Sequence, residues 1–271
     1  MTHKFTLLFI TLFSICSFAQ KSNVLFEKTS TFYPNEEAIN NEDIEWGFFT
    51  VPENWEDTNG KKIKLAVAIL KNTSKSKDNN PVVMIDGGPG AGSIEGIWWW
   101  LNHPLREKSD IILVDARGTG FSEPRLCPEL GNEFLKILAK NQDAAKDEEE
   151  KVFAAMACKQ QLIANGIDVN AYHSKNISKD LNALKDHLKH QNWNVYGVSY
   201  GTYVAQVYAN DFPDDIKSLI LDSPISDISD YYTYNTSNYT SSLNKVFKAC
   251  KNDPTCNGTY PNLENIYYKV I

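Results

Sequence analysis

Hydrophobic positions fall into two regimes along this chain. Near the start, "IEWGFFTVPENW" (residues 44–55) reads as a strand that ends at Pro52, and "IKLAVAIL" (residues 63–70) alternates before becoming continuously apolar. Gly60, after Asn59, supplies the turn between them, so the two segments are predicted to pair antiparallel. Further on, the pattern changes to short apolar runs: "PVVMID" (81–86), "DIILVD" (110–115), "NVYGV" (194–198) and "KSLILD" (217–222). Such runs suit strands covered on both faces, as in a parallel sheet.

Helix-like segments separate these runs. "SKDLNALKDHLKH" places Leu181, Leu184 and Leu188 on one face, with Ser178 as the expected N-cap. "YGTYVAQVYANDFP" places small and apolar residues on a buried helix that stops at Pro213. Strand alternating with helix implies an α/β fold with a mostly parallel sheet and helices on both faces. Residues 132–166 read as a polar, helix-rich insertion. From Asp227 the composition shifts to Tyr, Ser, Asn and Thr, as if an inserted cap begins there. The expected division is residues 1–19 as a signal peptide, 20–225 as the core and 226–271 as the beginning of a cap or lid.

The N-terminus carries a short basic head, an apolar run over residues 5–18, and small residues in "SFAQ" that suit cleavage after Ala19. The run is short for a membrane span. A secreted or periplasmic protein with no stable membrane association after cleavage is expected. Cleavage would remove Cys16 and leave Cys127, Cys158, Cys250 and Cys256. An even number of cysteines in an exported chain points to disulfides. The Asp-Pro turn in "KNDPT" favours closure of Cys250 with Cys256, which pairs Cys127 with Cys158. No histidine stands at ligand spacing from these cysteines, so no metal is expected.

Charge adds one exclusion. Over 271 residues the net charge is −7 and there is no basic stripe, which argues against nucleic acid as a partner. The run "KDEEEK" (146–151) reads as a solvated helix face.

Three motifs carry candidate chemistry. "DGGPGAGS" (86–93) follows a buried strand, and its glycines let backbone N–H groups approach a developing oxyanion. "DARGTGFSEP" (115–124) follows the next strand, where Asp115 and Arg117 are expected to form an ion pair that fixes the loop. "GVSYG" (197–201) is Gly-x-Ser-x-Gly centred on Ser199, between an apolar strand and a helix of small residues. That setting marks a serine nucleophile on a strained strand-to-helix turn, with the Tyr200 amide at the helix N-terminus able to donate to an oxyanion.

Taken in order, "VPENW", "GGPGAGS", "DARGTGFSEP", "DLNALKDHL", "YGVSYGT" and "LILDSP" resemble the α/β-hydrolase serine peptidases of the prolyl-aminopeptidase and tripeptidyl-aminopeptidase type. The resemblance runs from about Ile44 to Pro224. It implies Ser199 as nucleophile, the Gly88 and Tyr200 amides as oxyanion hole, peptide substrates cleaved from their N-termini, no cofactor, and a helical cap after "LILDSP". Asp86 stands where many such proteins have a histidine that is not the catalytic one. The resemblance also implies two later strands that bring the catalytic acid and histidine, and that would make "SLIL" (218–221) an interior strand. No histidine follows Ser199 here, because the five are His3, His103, His173, His187 and His190. The expectation is a C-terminally truncated chain that is inactive by itself, with His103 the first suspect should it prove active. An inert peptide- or partner-binding relative and an esterase of the same fold remain open readings.

Overall fold

The structure is a computed structural model that describes residues 26–74, 80–225 and 228–270. The candidate signal segment lies outside the described residues. In chain order the elements begin with β1 (Phe26–Lys28), α1 (Glu37–Asn40), β2 (Ile44–Pro52), β3 (Lys62–Leu70), β4 (Val82–Ile85), α2 (Ile97–Leu101) and β5 (Ile111–Val114). They continue with α3 (Leu130–Leu138), α4 (Ala144–Ala164), α5 (Ser174–His187), β6 (Trp193–Val198), α6 (Tyr200–Asp211) and β7 (Ile216–Asp222). The last are α7 (Ile228–Asn252), α8 (Pro254–Thr259) and α9 (Leu263–Val270).

The described strands form one sheet in the order β1-β2-β3-β5-β4-β6-β7. β2 and β3 pair antiparallel over their whole length, from Ile44 opposite Leu70 to Pro52 opposite Lys62. β1 adds to β2 and β3 joins β5, both antiparallel, while β5, β4, β6 and β7 run parallel. This is an α/β-hydrolase sheet, and the apolar runs explain it. Along β4, Val83 and Ile85 enter one core and Val82 and Met84 the other. β5 divides the same way, with Ile112 and Val114 against Ile111 and Leu113. Leu181 and Leu184 of α5 and Val204, Ala205 and Tyr208 of α6 cover the first face. Ile97, Trp100 and Leu101 of α2 cover the second.

One detail differs from the sequence reading. Helix α5 begins four residues before Ser178, because His173 takes an extended backbone and its ring nitrogen accepts from the Asn176 amide. Ser178 is buried inside the helix instead, with its hydroxyl 3.4 Å from Asp211. Among the described residues β7 pairs with β6 and no other strand, and Leu219 on it is 36 % exposed.

The helices after β5 and after β7 differ in attachment. α3 and α4 form an arm joined at its base by the Cys127–Cys158 disulfide. α7, α8 and α9 share their own small core, in which Phe247 packs on Tyr267 and Tyr268 beside the Cys250–Cys256 disulfide. No helix among the described residues is long and apolar enough to cross a membrane.

Candidate active site

Ser199 sits between the end of β6 and the first residue of α6, with φ 52° and ψ −120°. A side chain with positive φ is strained, and the surroundings must hold it. Here the Ser199 amide donates to the Asp222 carbonyl at 3.0 Å, and the Thr202 hydroxyl donates to the Ser199 carbonyl at 2.6 Å. Glycines make the sharp turn possible by leaving space. A Cβ on Gly197 would stand 2.5 Å from the Gly201 carbonyl oxygen, and one on Gly201 would stand 2.1 Å from that of Ile85. The helix therefore starts directly over the end of β4. The Tyr200 amide is in the first turn of α6, where backbone N–H groups lack intrahelical acceptors.

The loop after β4 lies against this turn. A Cβ at Gly87 would come within 3.0 Å of Ser199 Cβ. The Gly87 amide itself donates to Asp86 Oδ1 at 2.6 Å, so it is already engaged. Gly88 and Gly90 both have positive φ, at 107° and 115°. Ser93 closes the loop, donating to the Met84 carbonyl and accepting from the Asp86 amide.

The expected ion pair between Asp115 and Arg117 is replaced by two separate anchors. Asp115 is fully buried and accepts from the amides of Ile94, at 2.8 Å, and Phe121, at 2.7 Å. It thereby ties the glycine loop's end to the loop after β5. Gly120 and Gly92 make room for it, since a Cβ at either would fall within 2.1 and 2.9 Å of the carboxylate. Burial pushes the Asp115 carboxyl up to about 6, against the lowering effect of the two amides. Arg117 pairs instead with Asp180 of α5 through two nitrogens, at 2.8 and 2.6 Å. Its remaining donors reach the carbonyls of Pro52, Glu53 and Ala171.

Sequence reasoning missed Asp180, Trp55 and Tyr172 in this cluster. Trp55 Nε1 donates to Asp180, and the Tyr172 hydroxyl donates to Glu53. One signal was present: Asp180 adjoins Leu181 on the apolar side of α5, where a carboxylate is buried and needs a partner.

The described histidines are used elsewhere. His103 Nδ1 accepts from the Leu105 amide and its ring packs 4.6 Å from that of Trp100. Burial lowers its pKa. His173 caps α5, and His187 lies against the rings of Phe26 and Phe49. The His190 amide bonds to the Lys185 carbonyl. Among the described residues no imidazole is hydrogen-bonded to Ser199.

A cleft of 540 Å³ opens beside the elbow, with walls from the glycine loop, the loop after β5, the base of α3, and Tyr200 and Val204 of α6. A larger hollow of 620 Å³ lies among α7, α8 and α9, and none of its lining residues belongs to the elbow or the glycine loop. Among the described residues no cluster of His, Cys, Asp and Glu could hold a metal ion.

A family model described as the alpha/beta hydrolase fold matches residues 80–247. Tripeptidyl aminopeptidase of Streptomyces coelicolor is 28 % identical over an alignment of 207 residues that covers 70 % of this chain and 37 % of that protein. Serine protease Hip1 of Mycobacterium tuberculosis is 26 % identical over 189 residues, covering 66 % of this chain and 35 % of its own. The chain thus spans little more than a third of the length of the curated relatives it matches. An alpha/beta hydrolase from Novosphingobium aromaticivorans superposes with a TM-score of 0.41 at 14 % identity, over 66 % of this chain and 44 % of that one. With the family model covering well over half of its residues, this chain belongs to the α/β-hydrolase fold family.

Proposed function

We propose that this chain is the nucleophile-bearing part of an exported serine peptidase that removes residues or short peptides from substrate N-termini. The observation that carries the reading is Ser199 held at positive φ with Gly87 in contact. The strain has a use if the hydroxyl must stand clear of strand and helix to meet a carbonyl carbon. The relatives named tripeptidyl aminopeptidase and serine protease support a peptide substrate. Cysteines paired as disulfides fit export into an oxidising compartment.

In this reading Ser199 Oγ attacks the scissile carbonyl and loses its proton. The Gly88 and Tyr200 amides stabilise the oxyanion, the Gly87 amide being engaged by Asp86. The leaving amine takes a proton, and water then hydrolyses the acyl-enzyme. Since no described imidazole is hydrogen-bonded to Ser199, the base in this reading comes from outside the described residues. In a comparable serine hydrolase, losing the histidine costs about 10⁶-fold in turnover, and about 10³–10⁴ over water survives. Residues 20–271 should therefore release negligible product from chromogenic tripeptides.

The test is acylation of Ser199 by an activated ester or a fluorophosphonate, with and without added imidazole. Imidazole should increase labelling, and Ser199→Ala should abolish it. Labelling that ignores both would leave the inert, peptide-binding reading. Turnover without imidazole that depends on Ser199 would mean that a described residue is the base.

A further inference from the structure

The cleft beside the elbow has three charged side chains on its walls: Asp86, Arg117 and Arg125. Two are consumed by the fold. Asp86 is turned onto the Gly87 amide, and Arg117 is buried against Asp180 and three backbone carbonyls. Arg125 is in a different position. It is half exposed, and its ion pair is one nitrogen 3.5 Å from Glu95 Oε1, itself half exposed. An exposed pair of that geometry contributes little and exchanges readily.

The pair joins two loops. Glu95 follows the glycine loop, and Arg125 lies on the loop after β5, where it lines the cleft. Beside Arg125 the wall is apolar or small, with Leu126, Pro128, Leu130 and Gly131. A guanidinium is weakly hydrated and presents a planar fork, which suits it to bind a carboxylate with two hydrogen bonds at such a wall.

We infer that Arg125 receives a carboxylate of the bound peptide, exchanging Glu95 for it. This rests on the proposed peptide-substrate reading of the cleft. The carboxylate can be the C-terminus of a short peptide or the side chain of an acidic residue, and either gives the same contact. The site then prefers short or acidic peptides over neutral, amidated ones.

Calorimetric titration of residues 20–271 tests this with three probes: tetra-alanine with a free C-terminus, its C-terminal amide, and the amide carrying Glu at the third position. At least one carboxylate-bearing peptide should bind about tenfold tighter than the neutral amide, and which one identifies the source of the carboxylate. Arg125→Ala should remove the difference while near-UV dichroism stays unchanged, and Arg125→Lys should keep part of it. Glu95→Gln should tighten carboxylate binding by freeing the guanidinium. Equal affinity for all three peptides, or a preference that survives Arg125→Ala, overturns the assignment of Arg125 and leaves the peptide site standing. Failure of every peptide to bind overturns the peptide-site reading itself, and this inference with it.

Discussion

Gly87 and Ser199 are packed so closely that a Cβ on the glycine would stand 3.0 Å from Ser199 Cβ and 3.5 Å from its Oγ. The glycine loop and the elbow are thus one packing unit. Neither could be built with a larger residue at the contact without moving the other.

Replacing Gly201 should be costly for the same reason. A methyl group there meets the Ile85 carbonyl, a backbone atom that cannot rotate away. Gly201→Ala should destabilise the fold by about 1–3 kcal/mol or more, as overpacking of a dense core does. Gly131, near the start of α3, has nothing within 4 Å of an added Cβ. Gly131→Ala should therefore stabilise by about 0.4–1 kcal/mol. Urea denaturation of the two variants reads both signs.

Arg117 and Asp180 form a buried pair with no solvent to replace a lost partner. Arg117→Ala should cost about 3–5 kcal/mol, because it leaves the Asp180 charge uncompensated. Arg117→Lys should rescue little, since one ammonium cannot reach both carboxylate oxygens and the three carbonyls in the same fork. A double replacement by apolar residues of similar volume should lose much less than Arg117→Ala. Chemical denaturation of the four proteins distinguishes these outcomes.

Asp115 makes a pH-dependent contribution of unusual sign. Folded, it keeps its proton up to about pH 6, whereas a free carboxyl gives it up near 3.8. The folded state binds more protons in that window, so Asp115's contribution to stability falls as pH rises through it and is flat above. The full effect is at most about 3 kcal/mol. Asp215 works in the opposite direction. Burial pushes its carboxyl up, but hydrogen bonds from Asn182, Lys185 and Tyr208 outweigh that and hold it low. Its contribution is therefore lost as pH falls below about 4. The difference in stability between the native protein and Asp115→Asn, measured from pH 4 to 7.5, should decline up to about pH 6. A flat difference curve would show that Asp115 does not titrate there.

The Cys127–Cys158 bridge closes a loop with a sequence separation of 31 residues. Replacing both cysteines by serine should cost about 3–4 kcal/mol on chain-entropy grounds. α3 and α4 expose Leu135, Leu138 and Phe153, so the unbridged arm has few core contacts to hold it. Limited proteolysis should cut the variant first within residues 130–164, before the sheet opens.

Much of the sheet was legible along the chain. The apolar runs mark β4, β5, β6 and β7, and the alternating pair with its Gly60 turn marks β2 and β3. β1 escaped notice because three residues of mixed polarity carry no period. The start of α5 was misplaced because a histidine, His173, takes the capping role in place of Ser178. The cysteine pairing was readable from one local turn and an even count, and the structure joins those same residues.

The sequence by itself determined where β2 to β7 lie and that a strained serine stands between β6 and α6. These follow from side-chain periodicity and from glycine spacing, which act over a few residues. Only the tertiary structure decided who meets whom. Arg117 takes Asp180, 63 residues away, in preference to Asp115 two residues before it. Asp115 meets the backbone of Ile94, 21 residues before it. The glycine that touches Ser199 is Gly87, from another strand's loop, and His103 is spent on Leu105 and Trp100. A buried polar group takes the partner that the packed sheet and helices bring within reach, and that reach has no fixed sequence separation to read.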